Sequence, residues 1–254
     1  MPIARNTDLD WAKIAEENPY WGVISAGPYM GKDLDEKKFA EFFSGGEMLI
    51  SNIFAFIKQH FGASIRPNRA LDFGCGVGRL LAPLARLSVN AVGVDVAPNM
   101  LKLSLANLQR LGITNATLVQ GDDTLSRLEG TFDFINTYIV LQHIPPERGL
   151  RLLDTLLGRL EVGGFASLQL TYGKARRFWG HEAPKAKFYR RDGNLITDLA
   201  PADSTPPDGT ITMYDYDLNQ IMALVGPMAG SHLMILPTCH DDHLGIHFIF
   251  QRVR

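Results

Sequence analysis

Residues 69–79 read Arg-Ala-Leu-Asp-Phe-Gly-Cys-Gly-Val-Gly-Arg, an apolar run that leads straight into glycines at three alternate positions. Ala70, Leu71 and Phe73 suit a strand buried on both faces, and Leu80, Leu81, Leu84, Ala85 and Leu87 recur at helical spacing just beyond it. Between the two, Gly74, Gly76 and Gly78 permit positive φ and leave no Cβ to obstruct a ligand lying against the main chain. The stretch therefore predicts a strand, a tight turn and a helix within a parallel sheet, with the turn as a binding loop.

A second strand over residues 91–94 ends on Asp95, near the roughly 20-residue spacing at which an acidic residue meets a ribose in nucleotide-binding βαβ units. One carboxylate can accept from two neighbouring hydroxyls, so a ribose-bearing ligand fits the turn and Asp95 together. Strand signals at 116–120, 132–137 and 165–171 alternate with helical periodicity from Pro98 to Gly112 and over 148–160. That alternation implies a parallel sheet with helices on both faces, and ligands in such sheets sit beyond the carboxyl ends of the strands. Gly74 to Gly78, Asp95, Asp122 and Thr137 all fall there. After a helix at 216–225, two apolar runs at 233–236 and 247–250 are joined by too few residues for a crossover helix, which predicts an antiparallel hairpin.

With 254 residues, 46% of them hydrophobic, the chain supports one sizeable α/β domain with appendages. It divides into an N-terminal helical arm, 1–62, and a binding domain, 63–254, with a basic insertion at about 173–213. A net charge of −2 gives no overall push toward nucleic acid or an anionic membrane. Cys75 and Cys239 make no disulfide framework, and no run reaches the roughly 18 apolar residues of a membrane span, so a cytoplasmic protein without membrane partners is expected. In the arm, helical periodicity over 34–43 and 47–61 is separated by Gly45-Gly46, read as a break, with a close backbone approach as the alternative.

Residues 71–78, Leu-Asp-Phe-Gly-Cys-Gly-Val-Gly, resemble the first motif of the class I S-adenosylmethionine-dependent methyltransferases, and residues 93–101, Gly-Val-Asp-Val-Ala-Pro-Asn-Met-Leu, resemble the second. The match continues in family order through Gly121-Asp122, Phe132-Asp133, Gln142-His143-Ile144 and Gly163-Gly164, covering residues 70–172, and runs more loosely after Tyr214. The resemblance implies a Rossmann-like, doubly wound α/β fold: a mostly parallel seven-stranded sheet with an antiparallel last strand and an N-terminal helical extension. It also implies S-adenosyl-L-methionine as cofactor and methyl transfer to an oxygen or nitrogen of a small-molecule acceptor, with an anionic acceptor among the candidates.

On that reading Gly74, Cys75, Gly76, Gly78 and Arg79 cradle the methionine part, whose carboxylate suits the amides opening a helix. Asp72 supports the loop or takes the amino group, and support is preferred. Asp95 holds the ribose, Val96 and Met100 flank the adenine, and Asp122 accepts from the adenine amine, while Asp123 beside it is read as a helix cap. Thr137, Tyr138 and Gln142 lie where the reactive sulfonium should be. His143 is the candidate general base, with Tyr138 as a second catalytic candidate and a merely packed histidine as the alternative. Tyr20, Trp21, Arg176, Arg177 and Tyr214 are the candidate acceptor-side residues, with packing on the domain the preferred reading of Tyr20 and Trp21 and a solvated loop the alternative for the two arginines. Residues 239–243, Cys-His-Asp-Asp-His, contain metal-ligand types but are read as a polar turn, with no metal. Three rivals stand: a dinucleotide-dependent oxidoreductase, disfavoured by the G-x-G-x-G spacing; a non-catalytic binding or interaction protein; and an RNA-directed methyltransferase using the basic insertion.

Overall fold

The computed structural model describes residues 7–176, 209, 211–240 and 242–254, together with the backbone of 187–191 and 194–198. Helices α1 (Thr7–Glu17), α2 (Pro19–Val23) and α3 (Glu36–Phe61) precede the sheet. There follow β1 (Arg69–Phe73), α4 (Leu81–Leu87), β2 (Asn90–Asp95), α5 (Pro98–Arg110), β3 (Ala116–Gln120), β4 (Phe132–Thr137), α6 (Pro146–Gly158) and β5 (Leu160–Lys174). The chain closes with β6 (Lys187–Arg191), β7 (Asn194–Asp198), β8 (Met213–Tyr214), α7 (Leu218–Ala229), β9 (Leu233–His240) and β10 (His243–Gln251).

Seven strands form one sheet in the order β3-β2-β1-β4-β5-β10-β9. Pairings among β1 to β5 are parallel, and β10 runs antiparallel to both β5 and β9. The hairpin is longer than its two apolar runs, because residues between them also pair, down to a tight turn where Asp242 takes φ +64. The chain reverses direction across the sheet between β1 and β4, the kind of switch point at which open α/β sheets bind ligands. Adjacent β1 residues face opposite layers. Ala70 packs in a cluster with Ile50, Ile53 and Ile57 of α3, while Leu71 joins Leu152, Leu153 and Ile221 from α6 and α7.

The predicted break at Gly45-Gly46 is corrected: α3 runs unbroken through the pair. A Cβ on Gly46 would lie 2.3 Å from the backbone oxygen of Arg79, and one on Gly45 would lie 2.8 Å from an Arg79 Nη. The glycines thus let the helix press against the end of the binding turn. An Asp35 cap at its start and Gly62, at φ 69, at its end define a helix of 26 residues. It spans about 39 Å at 1.5 Å per residue, long enough to join the N-terminal arm's aromatic cluster to the sheet's own core.

The insertion after β5 contains a three-stranded antiparallel sheet, β6-β7-β8, where the sequence predicted only a basic loop. Lys174, counted among its basic residues, is fully buried against Asp215 as an ion pair. Arg177 lies outside the described residues.

Candidate active site

A cavity opens beyond the carboxyl ends of β1, β2 and β4, enclosing about 1070 Å³ of empty space that includes its open mouth. Its floor is the turn after β1, where Gly74, Gly76 and Gly78 all have positive φ. At Gly74 a Cβ would fall 2.4 Å from Val140, so the loops after β1 and β4 meet only because that position is glycine. Asp72, Cys75 and Arg79 share this floor; Asp95, Val96, Met100 and Asp122 form one side; Tyr138 and His143 form another.

Several predicted positions lie elsewhere. Gly78 faces Ser104 of α5, whose Oγ a Cβ would meet at 2.7 Å, so this glycine serves helix packing. Thr137 and Gln142 are buried but not on the cavity wall, and Asp123 stands outside it. Tyr20 is turned into the core, donating to Asn107 Oδ1 at 3.0 Å and packing edge-on against Phe42. Trp21 is half-buried away from the cavity, Tyr214 is buried with its carbonyl accepting from Thr171 Oγ1, and Arg176 is exposed.

Of the two acids after β3, Asp122 lines the cavity and also takes the capping role expected of Asp123. Asp122 caps the following turn: its Oδ1 accepts from the amides of Thr124 and Ser126, at 2.9 and 3.0 Å, and its Oδ2 from the Ser126 hydroxyl. Those bonds hold its carboxyl well below the usual carboxylate range. Asp123, read as the cap, instead pairs with Arg148. The amides of the glycine turn are also partly committed. Gly74 and Cys75 donate to the Val94 carbonyl, Gly76 to Asp95 and Gly78 to Cys75, so fewer remain for a carboxylate than the sequence reading assumed.

Asp95 is bound to two backbone amides, accepting from Gly76 N through Oδ2 and Ala97 N through Oδ1, each at 2.9 Å. Each oxygen keeps a second acceptor direction, as a ribose diol requires. Burial lifts its pKa to about 6, against the lowering effect of those amides. Asp72 differs. Its Oδ1 accepts from Asn136 Nδ2 at 2.8 Å, while its buried Oδ2 has no hydrogen-bond partner among the described residues. Burial raises its pKa to about 7, against the Asn136 bond.

His143 is buried with Nδ1 at 3.1 Å from the Thr212 carbonyl. That acceptor places the proton on Nδ1 and leaves Nε2 to accept. Burial lowers its pKa to about 4, so the ring is neutral near pH 7. Trp11 of α1 meets the same ring edge-on at 5.1 Å.

Sequence reasoning missed the residues that close the cavity. Thr7, Asp8 and Trp11 from α1 and Gly22 and Val23 from α2 lie on its wall, so the arm does cover the site, through other residues than Tyr20 and Trp21. Arg148 grips Asp8 bidentately, at 2.6 and 2.8 Å. Also missed was a buried polar row on β5. Ser167 bonds Asn136, Gln169 Oε1 accepts from the Ile139 amide at 2.9 Å, and Thr171 holds the Tyr214 carbonyl. Ile139 lines the cavity at φ 57, an unfavourable conformation for a β-branched residue, and Gln169 holds it there. The readable signal was period-two polarity, Ser-x-Gln-x-Thr, inside a strand expected to be buried.

Comparison with known proteins bears on these features. A family described as methyltransferase domain matches residues 70–164, the stretch from β1 to the start of β5. A ubiquinone biosynthesis O-methyltransferase from Chromobacterium violaceum is 32% identical over 104 residues, covering 40% of this chain and 44% of the relative. The chain thus spans less than half the length of the curated relatives it matches first. Among solved structures, the N-methyltransferase NodS from Bradyrhizobium japonicum, in complex with S-adenosyl-L-homocysteine, superposes with TM-score 0.63 at 13% identity, covering 98% of this chain and 100% of that one. Magnesium protoporphyrin IX methyltransferase from Synechocystis PCC 6803, with bound S-adenosylmethionine, superposes with TM-score 0.61 at 17% identity, covering 99% and 100%. Identities this low speak to fold alone: the chain shares the Rossmann-like fold of these S-adenosylmethionine-dependent methyltransferases, and residues 70–164 within it match a methyltransferase-domain family.

Proposed function

We propose that this chain transfers a methyl group from S-adenosyl-L-methionine to an oxygen or nitrogen of a small-molecule acceptor, with residues 1–62 as a helical cap on a binding domain of 63–254. The observation that carries the reading is the buried Asp72 Oδ2 on the floor of the cavity, without a hydrogen-bond partner among the described residues and one strand from Asp95. An anionic acceptor left unpaired in a buried site costs about 1–3 kcal/mol or more, and a ligand ammonium removes that cost. Asp95 then suits the ribose hydroxyls, and Val96 and Met100 supply apolar surface for the adenine. When bound, the cofactor supplies an electrophilic methyl group; the chain has to orient the acceptor and take its proton. Nε2 of His143, neutral and held by Thr212, is the candidate acceptor for that proton. Trp11, Tyr138, Ile139 and Ile144 make the surroundings largely apolar, which suits a small organic acceptor.

Isothermal calorimetry tests the donor half. S-adenosyl-L-homocysteine should bind with a dissociation constant on the order of micromolar, about −8 kcal/mol. Binding of NADH, with no binding of the sulfur nucleoside, would replace this reading with the oxidoreductase one.

A further inference from the structure

Asp72 is the first member of a hydrogen-bonded chain that crosses the sheet. In register, Asp72 on β1 stands opposite Asn136 on β4, and Asn136 stands opposite Ser167 on β5. Asn136 Nδ2 donates to Asp72 Oδ1 at 2.8 Å, Ser167 Oγ donates to Asn136 Oδ1 at 2.9 Å, and Ser167 Oγ meets His247 Nε2 of β10 at 2.8 Å. All four side chains are buried.

The directions of these bonds depend on one another. A serine hydroxyl has one proton, and here it goes to Asn136 Oδ1, so Ser167 must accept from His247 and the imidazole proton sits on Nε2. With its oxygen taken by Ser167, the Asn136 amide presents its nitrogen to Asp72. Were the far end to lose its donor, Ser167 would be free to turn, the amide could flip, and Asp72 would face an oxygen. Burial keeps His247 neutral, its pKa lowered to about 4, so this donor pattern is stable across the physiological range. His247 also packs edge-on against Tyr138, at 5.4 Å, and Tyr138 lines the cavity.

We propose that Asn136, Ser167 and His247 are positioning residues, a directional chain that holds the Asp72 carboxylate so that its unpartnered oxygen receives the α-ammonium of the ligand's amino-acid part. This rests on the methyltransferase reading. It adds that recognition of the ligand's cationic end is set from three strands away, by residues that touch no ligand.

The test compares S-adenosyl-L-homocysteine with its desamino analogue, in which hydrogen replaces the ammonium group, by calorimetry on the full chain. Ser167→Ala and His247→Phe should each weaken binding of the parent about tenfold and leave the desamino analogue within about twofold of wild type. The analogue also reports that the variant is folded. His247→Gln, which returns an N–H donor to Ser167, should restore the parent's advantage to within about twofold and serves if His247→Phe does not fold. Equal weakening of both ligands would show a merely structural network and overturn the proposal, as would unchanged affinity for the parent. If the wild-type chain binds neither nucleoside, it is the methyltransferase reading that fails.

Discussion

At the scale of single residues the site is a set of ionisable groups moved by burial in opposite directions. Asp72, with a folded pKa of about 7 against 3.8 for a free carboxyl, contributes stability that is fully present below about pH 4 and lost as pH rises through about 7. Asp95, lifted to about 6, acts in the same direction. His143 and His247, both lowered to about 4 from 6.5, oppose them, since their contribution is present above about pH 6.5 and lost as pH falls through about 4. The Asp72 part is therefore read by difference. Asp72→Asn preserves the shape and an acceptor for Asn136, and it should gain on wild type by on the order of a few kcal/mol between about pH 5 and pH 8 while losing affinity for S-adenosyl-L-homocysteine. Thermal melts of both proteins at the two pH values decide it; an identical offset at each would mean that Asp72 does not titrate in this range. Much of this site could be read from residues alone. The glycine spacing and the strand-end acid placed Asp72, Gly74, Gly76 and Asp95 around one cavity because strand geometry leaves little choice. The cap fell to Asp122 and not to Asp123 because the decision lies in loop dihedrals, with Thr124 and Ser126 offering donors that a linear spacing does not rank.

At the scale of elements, α3 shows how a local rule yields to packing. Paired glycines at 45 and 46 are a helix breaker by propensity, yet the helix continues because Arg79 needs the space they leave. Arg79 donates from Nε to the Phe42 carbonyl at 3.0 Å and lies over the Phe42 ring, so the helix and the glycine turn are clamped together. The two glycines should respond differently to substitution. Gly46→Ala drives a methyl into the Arg79 backbone and should destabilise by about 1–3 kcal/mol, as overpacking against a rigid neighbour does, with weaker nucleoside binding through the displaced turn. Gly45→Ala meets only the outer nitrogen of the Arg79 side chain and no backbone, so the gain in helix propensity, up to about 1 kcal/mol, should roughly offset the contact. Urea unfolding of the two variants compares them directly, and equal losses would contradict the clamp. The sheet's parallel core and its terminal hairpin were legible from apolar runs and connection lengths. Tyr20 takes the packing role preferred for it over contact with an acceptor, a choice left open in the sequence because an aromatic residue signals buried area without saying which surface it covers.

At the scale of the whole molecule, the cavity is completed by a helix far from it in sequence. α1 carries Thr7, Asp8 and Trp11 onto the wall, and polar contacts that help hold it there include those of Arg148 of α6, which also binds Asp123, and of the Gly209 amide, which donates to Asp10 Oδ1 at 2.9 Å. The Arg148 fork joins three parts of the chain, α1, the turn after β3 and α6, and Arg148 and Asp8 themselves line the cavity. A ligand seated beneath the arm can leave only as fast as the arm opens, so the fork should set residence time more than it sets the strength of the contacts below. Arg148→Lys keeps one positive charge but cannot make the bidentate bond to Asp8 while reaching Asp123. It should raise the dissociation rate of S-adenosyl-L-homocysteine about three- to tenfold, with a much smaller change in association rate and in unfolding midpoint. Added salt should quicken release from the wild type by screening the partly exposed pairs, and do so less in the variant, where less remains to screen. Stopped-flow release at low and high ionic strength measures both effects. A variant that releases the nucleoside at the wild-type rate, in low salt and high, would show that α1 stays closed without Arg148 and that the Gly209 attachment and Trp11 packing suffice.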